Sequence, residues 1–231
     1  MHVSRNPGHT CLTSLANESR GTLKNKLNNS KGSGAVTRVA PIGLFCTGNG
    51  PAAFELGIRS AVLTHSAPTA YYAAGAGAAL IAWLASGLSL PKSLERVLHL
   101  LHQENGADEV VTSLEAAVGQ AESRPAGKEI PWSHLDSIRS LGTGSTANEA
   151  LAIAVYCALA IDDPFDAVIV SANHDGASDT TATMCGAVEG TRFGTKFIPQ
   201  SWLDCLEAGP VIQAVADKLY ETYRENGNTS K

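Results

Sequence analysis

The chain has 231 residues, a net charge of −5 at pH 7 and a pI of about 5.8, with 44% hydrophobic and 17% charged residues. That balance describes a globular chain long enough to build a real core, and it excludes a disordered one. The 17 basic residues are scattered, which argues against a nucleic-acid surface. Five cysteines at wide spacing, with no CxxC pair, argue against zinc and a disulfide framework and for a reducing, cytoplasmic setting. No basic segment followed by an apolar one opens the chain, so no signal peptide is expected.

In chain order, His2 to Gly8 read as a turn, His9 to Leu15 as a short helix, and Asn17 to Gly34, rich in Asn, Lys, Ser and Gly, as a loop. The loop closes on Lys31, Gly32, Ser33, Gly34 and Ala35 and runs into Val36, Val39, Ile42, Leu44 and Phe45. A Gly-Ser-Gly turn entering a helix leaves backbone N–H groups free to face an anion, although such a turn is also a common flexible joint. Helical periodicity covers 51–63, and Thr64, His65 and Ser66 end it; a histidine there can partner the helix dipole. Residues 66–91 carry no charge, but Ala and Gly supply little transfer energy, so a buried helix bounded by Pro68 and Gly87 is expected and not a membrane span. Amphipathic patterns follow at 91–102 and 110–118, then a charged surface loop at 120–131.

A short half-apolar segment at 131–141 leads to a Gly142–Thr146 turn and a strong helix over 147–161. Thr146 or Asn148 can cap that helix, with Glu149 in its first turn. Asp163 and Pro164 open another helix, which delivers the chain to Asn173, His174, Asp175, Gly176, Ala177 and Ser178. Asp179, Thr180 and Thr181 then lead a small apolar run with Gly186, Gly190 and Gly194 four residues apart. That spacing places them on one helix face, open to a close backbone neighbour. The acidic, hydroxyl-rich loop reads either as a helix N-cap or as an oxygen-ligand site for a hard cation. A last amphipathic helix spans 210–223. No segment alternates with period two and no repeat is found, so the fold class is all-α, in one domain over 1–231.

Two motifs carry a family resemblance. Asn28 to Phe45, NNSKGSGAVTRVAPIGLF, is similar to the Asn-x-Ser-x-Gly-x-Gly-Ala-x-x-Arg-x-x-Pro-x-Gly loop of the ADP-ribosylglycohydrolase family, which includes the dinitrogenase reductase-activating glycohydrolases. Asn173 to Gly194 resembles that family's C-terminal metal signature, roughly Asn-x-Gly/Ser-Gly-Asp-x-Asp-Ser/Thr before a Gly- and Ala-rich helix. The closing Ile198, Pro199 and Trp202 also fit.

The resemblance implies an ADP-ribosylglycohydrolase-like helical bundle that hydrolyses the ribosyl bond between ADP-ribose and an acceptor, using Mg²⁺ or Mn²⁺. It places Ser33, Gly34 and Ala35 at the diphosphate, and His65, Gly142, Gly144, Asn173, His174 and Ser178 around the ligand. Arg38 falls to a structural bond with a carboxylate or carbonyl. Asp179 and Thr180 match metal ligands, Ala177 stands where the family has a ligand Asp, and Asp175 is a substitute candidate. The family's N-terminal Thr-Asp-Asp ligands have no counterpart here, so the domain is expected to lack its N-terminal part. Two alternatives stand beside hydrolysis: a pseudoenzyme that binds ADP-ribose or an ADP-ribosylated protein, or an interaction scaffold. Truncation would also leave apolar helix faces exposed and favour self-association.

Overall fold

A computed structural model describes residues 7–124 and 131–228. Residues 2–6 of the expected opening turn and 125–130 of the expected loop lie outside that range. The described chain forms α1 (His9–Leu15), α2 (Ala40–Phe45), α3 (Gly50–Ala61), α4 (Pro68–Ala85), α5 (Leu90–Leu101) and α6 (Asp108–Glu122). After these come α7 (Leu135–Leu141), α8 (Ala147–Ala160), α9 (Pro164–Ala172), α10 (Ser178–Phe193), α11 (Gln200–Asp204) and α12 (Gly209–Asn228). Among the described residues there is no strand. A lone antiparallel bridge pairs Gly32 with Thr146. The expected all-α class is what the structure shows.

Helix α4 is the axis of the bundle. Every residue from Thr69 to Leu84 is buried, and α2, α3, α5, α6, α8 and α10 all pack on it. A helix apolar on all sides must be enclosed, and no described helix is long and apolar enough to cross a membrane. Its small residues let neighbouring backbones touch. A Cβ on Gly57 of α3 would sit 2.7 Å from the Ala74 carbonyl oxygen, and one on Gly75 would sit 2.9 Å from that of Phe54. On the next face, a Cβ on Gly77 would press at 3.3 Å on Val36, Val39 and Met184 alike. The segment after the Gly-Ser-Gly turn and helix α10 are therefore seated on the same point of α4.

Several sequence expectations are corrected. The glycines at 186, 190 and 194 do not serve a close approach, since a Cβ on any of them would meet no other atom within 4 Å. Gly194, at φ +70°, ends α10 in a positive-φ conformation that glycine adopts without a steric penalty. The Gly-Ser-Gly turn enters a single 3₁₀ turn at Ser33–Ala35, and α2 starts only at Ala40. The caps of α8 and α10 also differ from expectation. Thr146 occupies the N-cap of α8 without a side-chain bond, and Asn148 donates instead to Ser113 Oγ at 2.8 Å. Ala177 is the N-cap of α10 and has no side chain to offer. Asp163 does cap α9, accepting from the amides of Phe165 at 2.8 Å and Asp166 at 3.2 Å.

The contrast between glycines is testable by denaturant unfolding. Gly57→Ala is expected to lower stability by about 1–3 kcal/mol through overpacking, whereas Gly186→Ala should leave it unchanged or raise it by up to about 1 kcal/mol through helix propensity. Equal effects would contradict the packing described.

Candidate functional site

An open cleft of about 540 Å³ is lined by Gly8, Cys11, Ser33, Gly34, Thr37, Arg38, Asp179, Thr180 and Thr183. It brings together two stretches far apart in sequence: Ser33 Oγ lies 3.5 Å from Thr180 Oγ1. The glycine turn forms one wall, the first turns of α10 the other, and α1 the rim.

Backbone bonds hold both walls in place. Ser33 N donates to Ser145 O at 3.1 Å and Ala147 N to Lys31 O at 2.8 Å, so the glycine turn is stitched to the start of α8. Behind α10, Ala177 N donates to Thr143 O at 2.8 Å. Glu149, from the first turn of α8, accepts from Thr143 N and Thr143 Oγ1, both at 3.2 Å. Lys31 Nζ is tied to Glu109 at 2.6 Å, and Glu109 also accepts from Thr69 Oγ1 at 2.6 Å. These two bonds hold the Glu109 carboxyl below its ordinary pKa. A site organised this way is ordered before any ligand arrives, which lowers the entropy cost of binding.

The structure divides the sequence candidates. Ser33, Gly34, Asp179 and Thr180 line the cleft together. Ala35 is fully buried and faces the core. Gly142 and Gly144, both at positive φ, form the turn beneath the 174–181 loop: a Cβ on the second would lie 2.8 Å from Thr181 Cγ2. Asn173 donates to Ile169 O at 2.7 Å and closes the end of α9. His174 accepts from Gly176 N at Nδ1 (3.1 Å), so its proton sits on Nε2, 2.8 Å from Thr181 Oγ1. Thr181 in turn donates to Ser171 O at 2.6 Å. Both imidazole nitrogens therefore clasp the loop, and burial lowers the ring's pKa. Ser178 is the first residue of α10, with its amide bonded to Gly176 O at 2.8 Å.

Asp175 points away from the cleft. Its side chain is 88% exposed and pairs with Arg139 at 3.3 Å. With Ala177 unable to ligate, the carboxylate among the cleft-lining residues is that of Asp179. Among the described residues no cluster of three or more His, Cys, Asp or Glu side chains could hold a metal ion. A hard divalent cation takes six or more oxygen ligands, with carboxylates supplying the charge. Asp179 and the hydroxyl of Thr180 are by themselves too few donors to complete such a site.

His65 is 2% exposed and lies beneath the glycine turn: a Cβ on Gly32 would be 3.1 Å from its Nε2, and one on Gly34 3.3 Å from its Cε1. Burial, then the Arg38 charge, push its pKa down to about 4. Arg38 donates to Ser60 O at 2.7 Å and to Thr64 Oγ1 at 2.7 Å, the carbonyl partnership expected of it, yet it also lines the cleft. Cys11, Thr37 and Thr183 escaped the sequence reading. Thr37 follows the glycine turn by three residues and Thr183 lies one turn beyond Asp179, but nothing in the sequence places α1 at the rim.

In this all-helical fold a glycine turn and the start of a helix flank one open cleft that carries the hydroxyls of Ser33, Thr37, Thr180 and Thr183. The family profile described as ADP-ribosylglycohydrolase matches residues 2–229, and the chain belongs to that family. It is 27% identical over 220 residues to "ADP-ribosylhydrolase ARH3" of Mus musculus, a match covering 85% of this chain and 58% of the relative. It is 26% identical over 220 residues to "ADP-ribosylarginine hydrolase Tri1" of Pseudomonas putida, covering 94% of this chain and 53% of that protein. The chain thus spans little more than half the length of these curated relatives.

Stability should depend on pH through the buried histidines. His65 and His134 are both held to about 4, against an ordinary 6.5. The unfolded chain takes up their protons below pH 6.5 while the folded chain refuses them. Their contribution is therefore intact above 6.5 and lost as pH falls towards 4, by up to about 3 kcal/mol for each. Denaturant unfolding of the parent and of His65→Gln should diverge in slope across that range. Parallel profiles would show that His65 is not held neutral.

Proposed function

We propose that this chain is the ADP-ribose-binding part of an ADP-ribosylglycohydrolase-like protein, and that by itself it binds the ligand without turning it over. The observation that carries this reading is the single cleft joining Ser33 and Gly34 to Asp179 and Thr180. In this reading the diphosphate rests on the turn at Ser33 and Gly34, where the hydroxyls of Ser33 and Thr37 face it and Arg38 supplies positive charge; the amides of Ser33 and Ala35 are already bonded within the protein. Asp179 and Thr180 form half of a divalent-cation site for Mg²⁺ or Mn²⁺, too few donors for this chain to activate water alone. Hydrolysis of an ADP-ribose linkage, the reaction implied by the family, would need further carboxylates from a separate polypeptide or a longer form of this one. The ligand is free ADP-ribose or an ADP-ribosylated protein. The compartment that fits is the cytoplasm, since all five cysteines are free.

Calorimetric titration of ADP-ribose tests the reading. Saturable binding is expected, weakened at least about tenfold by Gly34→Val, whose branched side chain would crowd both the cleft and His65. Binding that tightens with Mg²⁺ would support a working half-site, and absence of binding to the parent chain would overturn the proposal.

Self-association is a second expectation with its own observation. Val211, Ile212 and Val215 of α12 are each about half exposed or more, and Leu206 just before them is 49% exposed. An apolar face of this kind favours association. Light scattering should show an oligomer at high concentration that Val215→Glu returns to monomer. A strictly monomeric parent would count against it.

A further inference from the structure

A chain of hydrogen bonds runs from Arg38 to the floor of the glycine turn, and its proton positions can be assigned. Arg38 has donors only, so at 2.7 Å it must donate to Thr64 Oγ1. The hydroxyl then has one proton to give and two neighbours to receive it: Ala61 O at 3.5 Å and His65 Nδ1 at 2.8 Å. The Ala61 carbonyl already accepts from Thr64 N at 3.0 Å, His65 N at 2.8 Å and Arg38 Nη2 at 3.4 Å. His65 Nδ1 has no other partner among the described residues. The hydroxyl proton therefore goes to Nδ1. Two further bonds fix Thr64 on its other side, where its carbonyl accepts from Asn28 Nδ2 at 2.8 Å and Ser14 Oγ at 2.9 Å.

We infer that Arg38 and Thr64 are positioning residues: they lock His65 as the tautomer whose only ring proton is on Nε2, so that the floor of the glycine turn offers an anion a side-chain donor. Nε2 is the edge that lies against Gly32 and Gly34, 3.1 and 3.6 Å from where their Cβ atoms would be, and Gly34 lines the cleft. No protein acceptor reaches that nitrogen among the described residues. The two glycines leave the approach to it clear, and the ring is 2% exposed. With no protein acceptor among the described residues, the Nε2–H is left to donate to an anion that settles on the turn. Because the ring stays neutral at neutral pH, the donor does not depend on capturing a proton from solution.

The inference rests on the binding reading above for its ligand, but not for the proton's position. Long-range proton–nitrogen correlation spectra of ligand-free protein with nitrogen-labelled histidine read the tautomer of His65 directly. The parent is expected to show Nδ1 bare and Nε2 protonated. Thr64→Val should return the ring to a mixture of tautomers and weaken ADP-ribose about tenfold, while Thr64→Ser, which keeps the hydroxyl, should preserve both readouts. Arg38→Met, which removes the Nη2 donor shared by Ser60 O and Thr64 Oγ1, should act like Thr64→Val and serves in its place if that variant does not fold. A proton on Nδ1 in the parent overturns the inference, as does an unaltered ring in both Thr64→Val and Arg38→Met. If ADP-ribose fails to bind the parent, the binding reading falls, and the tautomer readout alone still decides whether the lock exists.

Discussion

The position of the cleft depends on how closely other backbones can approach α4. Gly77 is the decisive contact, because Val36, Val39 and Met184 all meet at the place where a larger residue would project. The first two follow the glycine turn and the third belongs to α10. The two walls are thus brought into register by a third element that contributes nothing to the cleft itself. Close packing transmits such constraints because protein interiors have few voids into which a neighbour can yield.

On top of that packing, the site is joined by backbone hydrogen bonds between segments distant in sequence. Residues 31–33 exchange bonds with 145–147, and Thr143 carries the amide of Ala177. The intervening loops need no regular structure of their own. Thr143, Glu149 and His174 act as fasteners, which is why the ring nitrogens of His174 are occupied within the protein and Asp175 is left outside.

Periodicity made the helices legible, and the uncharged Ala-Gly stretch of α4 announced its own burial. The motifs around Ser33 and Asp179 also marked where the two walls lie. What sequence patterns could not convey was which atoms would meet. Gly186, Gly190 and Gly194 share a spacing that suggests intimate packing, yet they face open space, while the working contacts are at Gly57, Gly75 and Gly77. Spacing fixes a helix face but not the occupant opposite. Capping differed for a related reason: Asn148 sits inside the first turn of α8, its Nδ2 donates to Ser113 of another helix, and its Oδ1 takes no backbone amide. Arg38 was legible as a structural residue and its place on the cleft was not, since a side chain can bond carbonyls with one edge and face a cavity with the other.

The cysteines give the fold a built-in record of its own opening. Cys157 and Cys185 are buried where α8 meets α10, beside the buried Glu189, and burial raises both thiols, the second to about 12. Thiolate is the reactive form, so these two are silent to alkylating reagents for as long as the helices stay together. Cys11, at the rim of the cleft, is half-buried and Cys205 is exposed. Alkylation at Cys11 therefore reports on the state of the cleft, while alkylation at Cys157 and Cys185 marks the separation of α8 from α10.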